Sequence, residues 1–135
     1  MKLSSKSRYA VMALADIARF NQSEPISLRD ISLRQGISLV YLEQLFLKLK
    51  KNNVVNSIRG KKGGYILSRN ASDIKISDIL YAVEEKVKTI GCEKHSKKGC
   101  NGRSVKCISH NLWDELEDYI NDFFKKKSLV DLINL

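Results

Sequence analysis

Apolar residues recur at three- and four-residue spacing along much of the chain, and the places where that rhythm starts, stops and changes predict its elements. From Ser4 to Phe20, Tyr9, Val11, Met12, Leu14, Ile17 and Ala18 keep the spacing behind a capping Ser4 or Ser5, which predicts a helix. The stretch from Asn21 to Pro25 breaks it. Ser27 then caps a short helix through Leu33, with Leu28 and Ile31 inward, and Gly36 in "RQGIS" supplies the left-handed residue that ends a helix. Ser38 opens the next helix two residues later, leaving no room for a strand. Helix, tight glycine-containing turn and helix make a helix-turn-helix.

That second helix is expected over Ser38 to Lys51. At 100° per residue, Leu39, Leu42, Leu45, Phe46 and Leu49 gather on one side and predict the buried face. Val40, Glu43, Gln44, Leu47, Lys48 and Lys51 gather on the other. The period then changes from helical to alternating. "VVNSIRG" and "GYILS" are two short runs rich in β-branched residues, joined by a glycine-rich turn with Arg59, Lys61 and Lys62 at its tip, which predicts a hairpin. A basic-tipped hairpin directly after a helix-turn-helix is a wing.

Ser77 is expected to cap a helix from about Asp78 to Lys86, with Ile79, Leu80 and Val83 as its apolar side. Residues 87 to 107 carry no periodicity and read as a loop, whereas Ser109 to about Lys126 shows Leu112, Trp113, Leu116, Tyr119, Ile120, Phe123 and Phe124 opposite Asp114, Glu115, Glu117 and Asp118. This seam is richer than one small domain needs, so a second copy of the helix is expected to bury it. The fold class is therefore mainly α with a small β-hairpin. The organisation is a winged helix-turn-helix over residues 1–86, a cysteine-bearing loop over 87–107, and a dimerisation helix with a C-terminal tail over 108–135.

Charge sharpens the picture. The chain carries +9 at pH 7, and all of that excess lies within residues 1–69, where 13 basic face 4 acidic side chains; residues 70–135 hold 11 of each. A one-sided positive field attracts a polyanion, because neutralising phosphates releases condensed counterions. Double-stranded DNA is the expected partner. The outward face of the second helix, with short groups near its start and lysines further on, suits a major groove; Arg59 suits a narrow minor groove, and Lys61 and Lys62 suit phosphates. Ser38, Val40, Tyr41, Glu43, Gln44, Lys48, Arg59, Lys61 and Lys62 are the candidate DNA-contacting residues. No stretch approaches the roughly 20 apolar residues of a membrane helix, and none has a secretory leader's pattern, so a cytoplasmic location without membrane attachment is expected.

Three cysteines, all within residues 92 to 107, suit a metal or redox site better than a disulfide framework. No Ser/His/Asp grouping, phosphate-cradling loop or paired carboxylates point to an enzyme, and the best catalytic candidate is a Cys107/His110 dyad. A basic wing has no use in an electron carrier.

Four blocks together resemble the iron-sulfur cluster regulator family, IscR and its winged-helix relatives: "SKSRYAV", "ISLRQGISLVYLEQLFLKLKKN", "SIRGKKGGYILSR" and "CISHNLW". They span nearly the whole chain. The resemblance implies a homodimer held by the helix from Ser109, and a [2Fe-2S] cluster on Cys92, Cys100, Cys107 and His110, with apo and holo forms preferring different DNA sites. It also implies base reading by Val40, Glu43, Gln44 and Arg59, and repression or activation of cluster-assembly genes. Two features depart from the family pattern. The spacing C-x7-C-x6-C-x2-H makes the loop about three residues longer than C-x5-C-x5-C-x2-H, and Val40 stands where a serine is common. The chemistry supports the ligand set, because thiolates are soft, strongly donating ligands for iron and a helix N-terminus favours both thiolate and neutral imidazole. Lys94, Lys97, Lys98, Arg103 and Lys106 add positive charge around it. Zinc, metal-free redox thiols, and His95 in place of His110 remain the alternatives.

Overall fold

The computed structural model describes residues 2–20, 23–89 and 107–134. Its elements are α1 (Ser5–Phe20), α2 (Leu28–Gln35), α3 (Leu39–Lys51), the strands β1 (Val55–Ile58) and β2 (Gly64–Leu67), a 3₁₀ turn (Ala71–Asp73), α4 (Ile76–Ala82), α5 (His110–Lys126) and α6 (Leu129–Ile133). This is the expected helix-rich fold with one hairpin and a long C-terminal helix.

Local chemistry sets the boundaries. Ser27 caps α2 by accepting from the Asp30 N–H, and Ser38 caps α3 by accepting from the Tyr41 N–H. Gly36 ends α2 at φ +67°, a backbone conformation that costs a side-chain-bearing residue about 1–2 kcal/mol. Two helices close on a left-handed residue other than glycine. After α3, Asn53 takes φ +60° while the Asn53 and Val54 N–H groups bond Lys50 and Leu49 carbonyls; after α4, Glu84 takes φ +63° with the same pattern onto Tyr81 and Leu80. Both are Schellman closures, in which two backbone bonds satisfy the helix's last carbonyls. The expected Ser77 cap of α4 is displaced: the helix starts at Ile76, where Asp78 reaches back to accept from the Lys75 N–H at 3.0 Å.

The core gathers α1, α2, α3 and α4 around Leu14, Ile31, Leu42, Phe46 and Ile79. On α1 the buried line is Ala10, Ala13, Leu14, Ile17 and Ala18, while Met12 faces outward; the alanines let neighbouring helices approach closely. Leu42, Leu45, Phe46 and Leu49 fix the inner face of α3, each fully buried side chain stabilising by roughly 1.5–3 kcal/mol. Phe46 meets Tyr65 edge-on at 4.9 Å and so ties α3 to the hairpin. The hairpin pairs Val55 with Leu67 and Ile58 with Gly64, and Tyr65 extends the sheet by exchanging backbone bonds with Ile26. At Gly64 a Cβ would collide with the Ile26 carbonyl, so this approach requires glycine.

The segment read from sequence as a tail is a further element. Ser128 and Asp131 form a capping box that starts α6, and Leu129 is wholly buried in the same core as α1. Backbone bonds from Ile76 to Lys127 and from Leu129 to Ile74 stitch the end of α5 back onto the start of α4. Among the described residues, no helix is long and apolar enough to cross a membrane.

Candidate nucleic-acid interface and cysteine site

Capping by Ser38 starts α3 at Leu39, and the buried leucines then force Val40, Glu43, Gln44 and Leu47 outward; Val40 is 63% and Leu47 67% exposed. An exposed run of mixed short polar and apolar groups along one helix face can meet base edges, since an amide pairs with adenine, a carboxylate accepts from cytosine and a branched methyl meets thymine. Tyr41 sits differently. Its half-buried ring packs edge-on against Tyr9 at 5.7 Å, which joins α3 to α1. Lys48 lies 3.4 Å from Glu84, an exposed pair at the far end of the helix.

The hairpin tip follows from its glycines. Gly60 at φ +122° and a 3.0 Å bond from the Gly63 N–H to the Gly60 carbonyl close the turn, so Arg59, Lys61 and Lys62 project as exposed cations. The residues expected at a DNA surface thus divide between one helix face and one hairpin tip, held together by the Phe46–Tyr65 contact.

Behind this face lies a clamp that periodicity did not reveal. The Asp16 carboxylate on α1 is fully buried and accepts from Arg34 Nε at 3.0 Å, from an Arg34 terminal nitrogen at 2.7 Å and from Gln35 Nε2 at 2.8 Å. The Arg34 guanidinium also stacks 4.9 Å from the Phe20 ring. A single acid beside alanines and isoleucine on an inward stripe is the only hint of it in the sequence.

Of the expected cluster ligands, Cys92 and Cys100 fall outside the described residues, as do His95 and the five basic residues of that segment. Cys107 is an exposed free thiol just before α5. The Ser109 hydroxyl, 3.4 Å from the sulfur, and then the backbone N–H of Ser109 draw the thiol below its ordinary value, which favours the thiolate that ligates iron. His110 is 2% exposed at the first turn of α5, with Nε2 3.0 Å from Asp114 Oδ2. A thiol and an imidazole three residues apart at a helix start have the donor chemistry of an iron-sulfur site, with the thiol exposed and the imidazole buried against Asp114. Ser109 and Trp113 complete the surroundings, with the indole N–H donating to Ser109 Oγ at 3.1 Å and Thr89 bonding the Trp113 carbonyl at 2.9 Å.

The remaining face of α5 is apolar and open. Leu112, Leu116, Tyr119 and Phe123 are 58%, 39%, 67% and 54% exposed, and His110 is the one buried residue of the helix. The stripe runs into a groove of 570 Å³ between α1, α4, α5 and α6, lined by Val11, Met12, Leu80, Phe123, Phe124 and Leu132 among others. In the single chain these apolar side chains are open to solvent along the stripe and the groove it joins.

Comparison with known proteins agrees with this geometry. A family model described as Rrf2, an iron-dependent transcriptional regulator, matches residues 3–135. The chain is 47% identical over 134 residues to the HTH-type transcriptional regulator IscR of Photorhabdus laumondii, covering 99% of this chain and 80% of that protein. It is 46% identical to the IscR of Serratia proteamaculans over the same span. Among solved structures, T. potens IscR superposes with a TM-score of 0.78 at 33% identity, covering 99% of this chain and 87% of that one. CymR, the global cysteine regulator of B. subtilis, does so with a TM-score of 0.83 at 27% identity, covering 99% and 97%. The chain therefore belongs to the Rrf2 family of transcriptional regulators, as an IscR-like, DNA-binding, non-enzymatic member.

Proposed function

We propose that this regulator works as a cytoplasmic homodimer that senses iron-sulfur cluster status through a [2Fe-2S] cluster on Cys92, Cys100, Cys107 and His110, and controls genes of cluster assembly. The observation that carries the reading is the thiol of Cys107, exposed, drawn toward thiolate and followed by His110 at the N-terminus of α5, in a chain 47% identical to a protein named IscR. Cys92, Cys100, Cys107 and His110 would hold the cluster, which would supply a centre whose presence depends on iron and sulfide supply. The chain's own residues do the rest. Val40, Glu43 and Gln44 read bases in a major groove, Ser38, Tyr41 and Lys48 support α3 on the backbone, Arg59 enters a minor groove, and Lys61 and Lys62 hold phosphates. The apolar stripe of α5 pairs two protomers, so two α3 helices address two half-sites.

DNA preference can change with the cluster only through a difference in binding energy between two protein states. The test is anaerobic reconstitution with iron and sulfide, followed by visible absorption and binding to a panel of operators. Absorption abolished in Cys107→Ala and His110→Ala, with different operator preferences for the two forms, is the expected result. Full retention in His110→Ala would remove His110 as a ligand, and identical preferences would remove the switch. The exposure of the Cys107 thiol supports one other reading, a metal-free thiol sensor. A colourless reconstituted protein whose DNA binding responds to oxidants would establish that instead.

A further inference from the structure

Ser109 occupies the N-cap of α5, where a serine hydroxyl ordinarily accepts a backbone N–H of the first turn. Here it makes no such bond. Its oxygen lies instead 3.1 Å from the Trp113 indole nitrogen and 3.4 Å from the Cys107 sulfur. An indole N–H can only donate, so Ser109 Oγ is the acceptor in that contact. The hydroxyl's single proton is thereby left for its other close neighbour, the sulfur. Trp113 is in turn seated by the Thr89 hydroxyl, which donates to its carbonyl at 2.9 Å. With Trp113 donating to Ser109, the Ser109 hydroxyl is placed to donate to a Cys107 sulfur that carries no proton, as a metal-bound thiolate does.

We propose that Ser109 is a positioning residue whose hydroxyl, aimed by Trp113, donates a hydrogen bond to the Cys107 sulfur and thereby sets the reduction potential of a cluster held there. The inference rests on the cluster reading above. A donor at a ligand sulfur stabilises the more negative, reduced state more than the oxidised one, and hydrogen bonds to sulfur are a main means by which proteins tune iron-sulfur centres. Reduction adds one electron, taken from dithionite in the experiment, and neither forms nor breaks a bond to the protein. Because the N-cap bond is not made, removing the hydroxyl leaves the helix's own hydrogen bonding intact.

The experiment is a mediated dithionite titration of anaerobically reconstituted wild type, Ser109→Ala, Ser109→Thr and Trp113→Phe, followed by visible absorption. Ser109→Ala is expected to shift the oxidised-to-reduced equilibrium about tenfold toward the oxidised form, ~59 mV for a one-electron couple. Trp113→Phe is expected to shift it the same way by less, and Ser109→Thr to restore it. Raman bands of the indole, whose N–H is the only one of its kind in this chain with one tryptophan, are expected to report a missing acceptor in Ser109→Ala. A coloured wild type with an unchanged Ser109→Ala potential overturns the proposal and leaves the cluster reading standing. A wild type that takes up no cluster overturns both.

Discussion

The Asp16 clamp allows its own energetics to be tested, because its two partners sit in different environments. The carboxylate is 0% exposed, whereas the Arg34 side chain is 35% exposed. Asp16→Ala removes two charge-assisted bonds from Arg34 and one bond from Gln35. Each charge-assisted bond contributes ~1.5–3 kcal/mol, but Arg34 regains water when released and the desolvation of the carboxylate is no longer incurred. The net loss is expected to be about 2 kcal/mol. Arg34→Met keeps an aliphatic stem near Phe20 and leaves the carboxylate buried without its cation, which costs about 3–5 kcal/mol. The arginine variant is therefore expected to be the less stable of the two, although arginine is the more exposed partner. Urea unfolding followed by circular dichroism, at one protomer concentration because the protein is proposed to dimerise, measures both. If Asp16→Ala loses as much as Arg34→Met, burial of the carboxylate does not set the clamp's strength, and if both lose less than ~0.5 kcal/mol the clamp is an ordinary surface pair.

Four further outcomes are expected. Gln44→Ala is expected to lose ~1–3 kcal/mol at one operator position and relax preference there, whereas an equal loss on all sequences would place α3 outside the groove. The double variant Lys61→Ala, Lys62→Ala is expected to flatten the log–log salt dependence of DNA affinity by about one unit for each phosphate no longer neutralised, with sequence preference intact. Leu116→Lys places a charge on the α5 stripe and is expected to give monomers in sedimentation; a variant that still dimerises would move the interface off α5. Burial pushes the Glu85 carboxyl up, but the Ser4 N–H and hydroxyl, Lys6 and Ser7 outweigh it and hold the group below its ordinary value. Its stabilisation is then present above the unfolded value of about 4.3 and disappears as pH falls through the lower folded one, so Glu85→Gln is expected to flatten that acid limb in urea unfolding.

The fold was legible where one residue type does one job. Ser27, Gly36 and Ser38 punctuate the helix-turn-helix because a hydroxyl cap and a left-handed glycine have few other uses in that context, and the apolar period of α3 predicted its outer face of Val40, Glu43, Gln44, Leu47 and Lys48. Illegible features depend on partners far away in sequence or on unusual residues in ordinary roles. Glutamate is a poor left-handed residue, so the end of α4 at Ala82 could not be read from Glu84, and the expected helix ran on to Lys86. The capping box of α6 is written in "SLVD", but five helical residues after a long helix look like its frayed end until Leu129 is seen in the core. Tyr41, expected among the DNA-contacting residues, is half-covered by Tyr9 from α1, a contact that depends on a residue far away in sequence. At the start of α5 the sequence offered Cys107 and His110 as candidate ligands; the Ser109 and Trp113 contacts needed three-dimensional directions, because only the unused N-cap bond distinguishes them from a routine helix start.

The end of α4 is tied to α1 and to α3 by bonds of unequal strength. Glu84 and Glu85 follow the helix directly, and their side chains reach different helices. Glu84 meets Lys48 near the end of α3 at 3.4 Å, but the two side chains are 74% and 43% exposed, and such a pair contributes ~0.2–1 kcal/mol. Glu85 accepts from both the N–H and the hydroxyl of Ser4 at the start of α1, at 2.8 and 2.9 Å in a partly buried setting, where charge-assisted bonds contribute ~1.5–3 kcal/mol each. A tenfold change in DNA affinity requires about 1.4 kcal/mol of difference between two states. The lysine pair falls short of that alone, whereas the Ser4 bonds exceed it even after a discount for their partial exposure. The backbone between them is held firmly, since the Glu85 N–H bonds the Leu80 carbonyl at 2.9 Å and closes α4. The end of α4 is therefore anchored more firmly to α1, whose inner face carries α2 and α3 together, than to α3 through the lysine pair, while α4 also packs directly on α3 and the Asn52 amide donates to the Ala82 carbonyl at 3.4 Å.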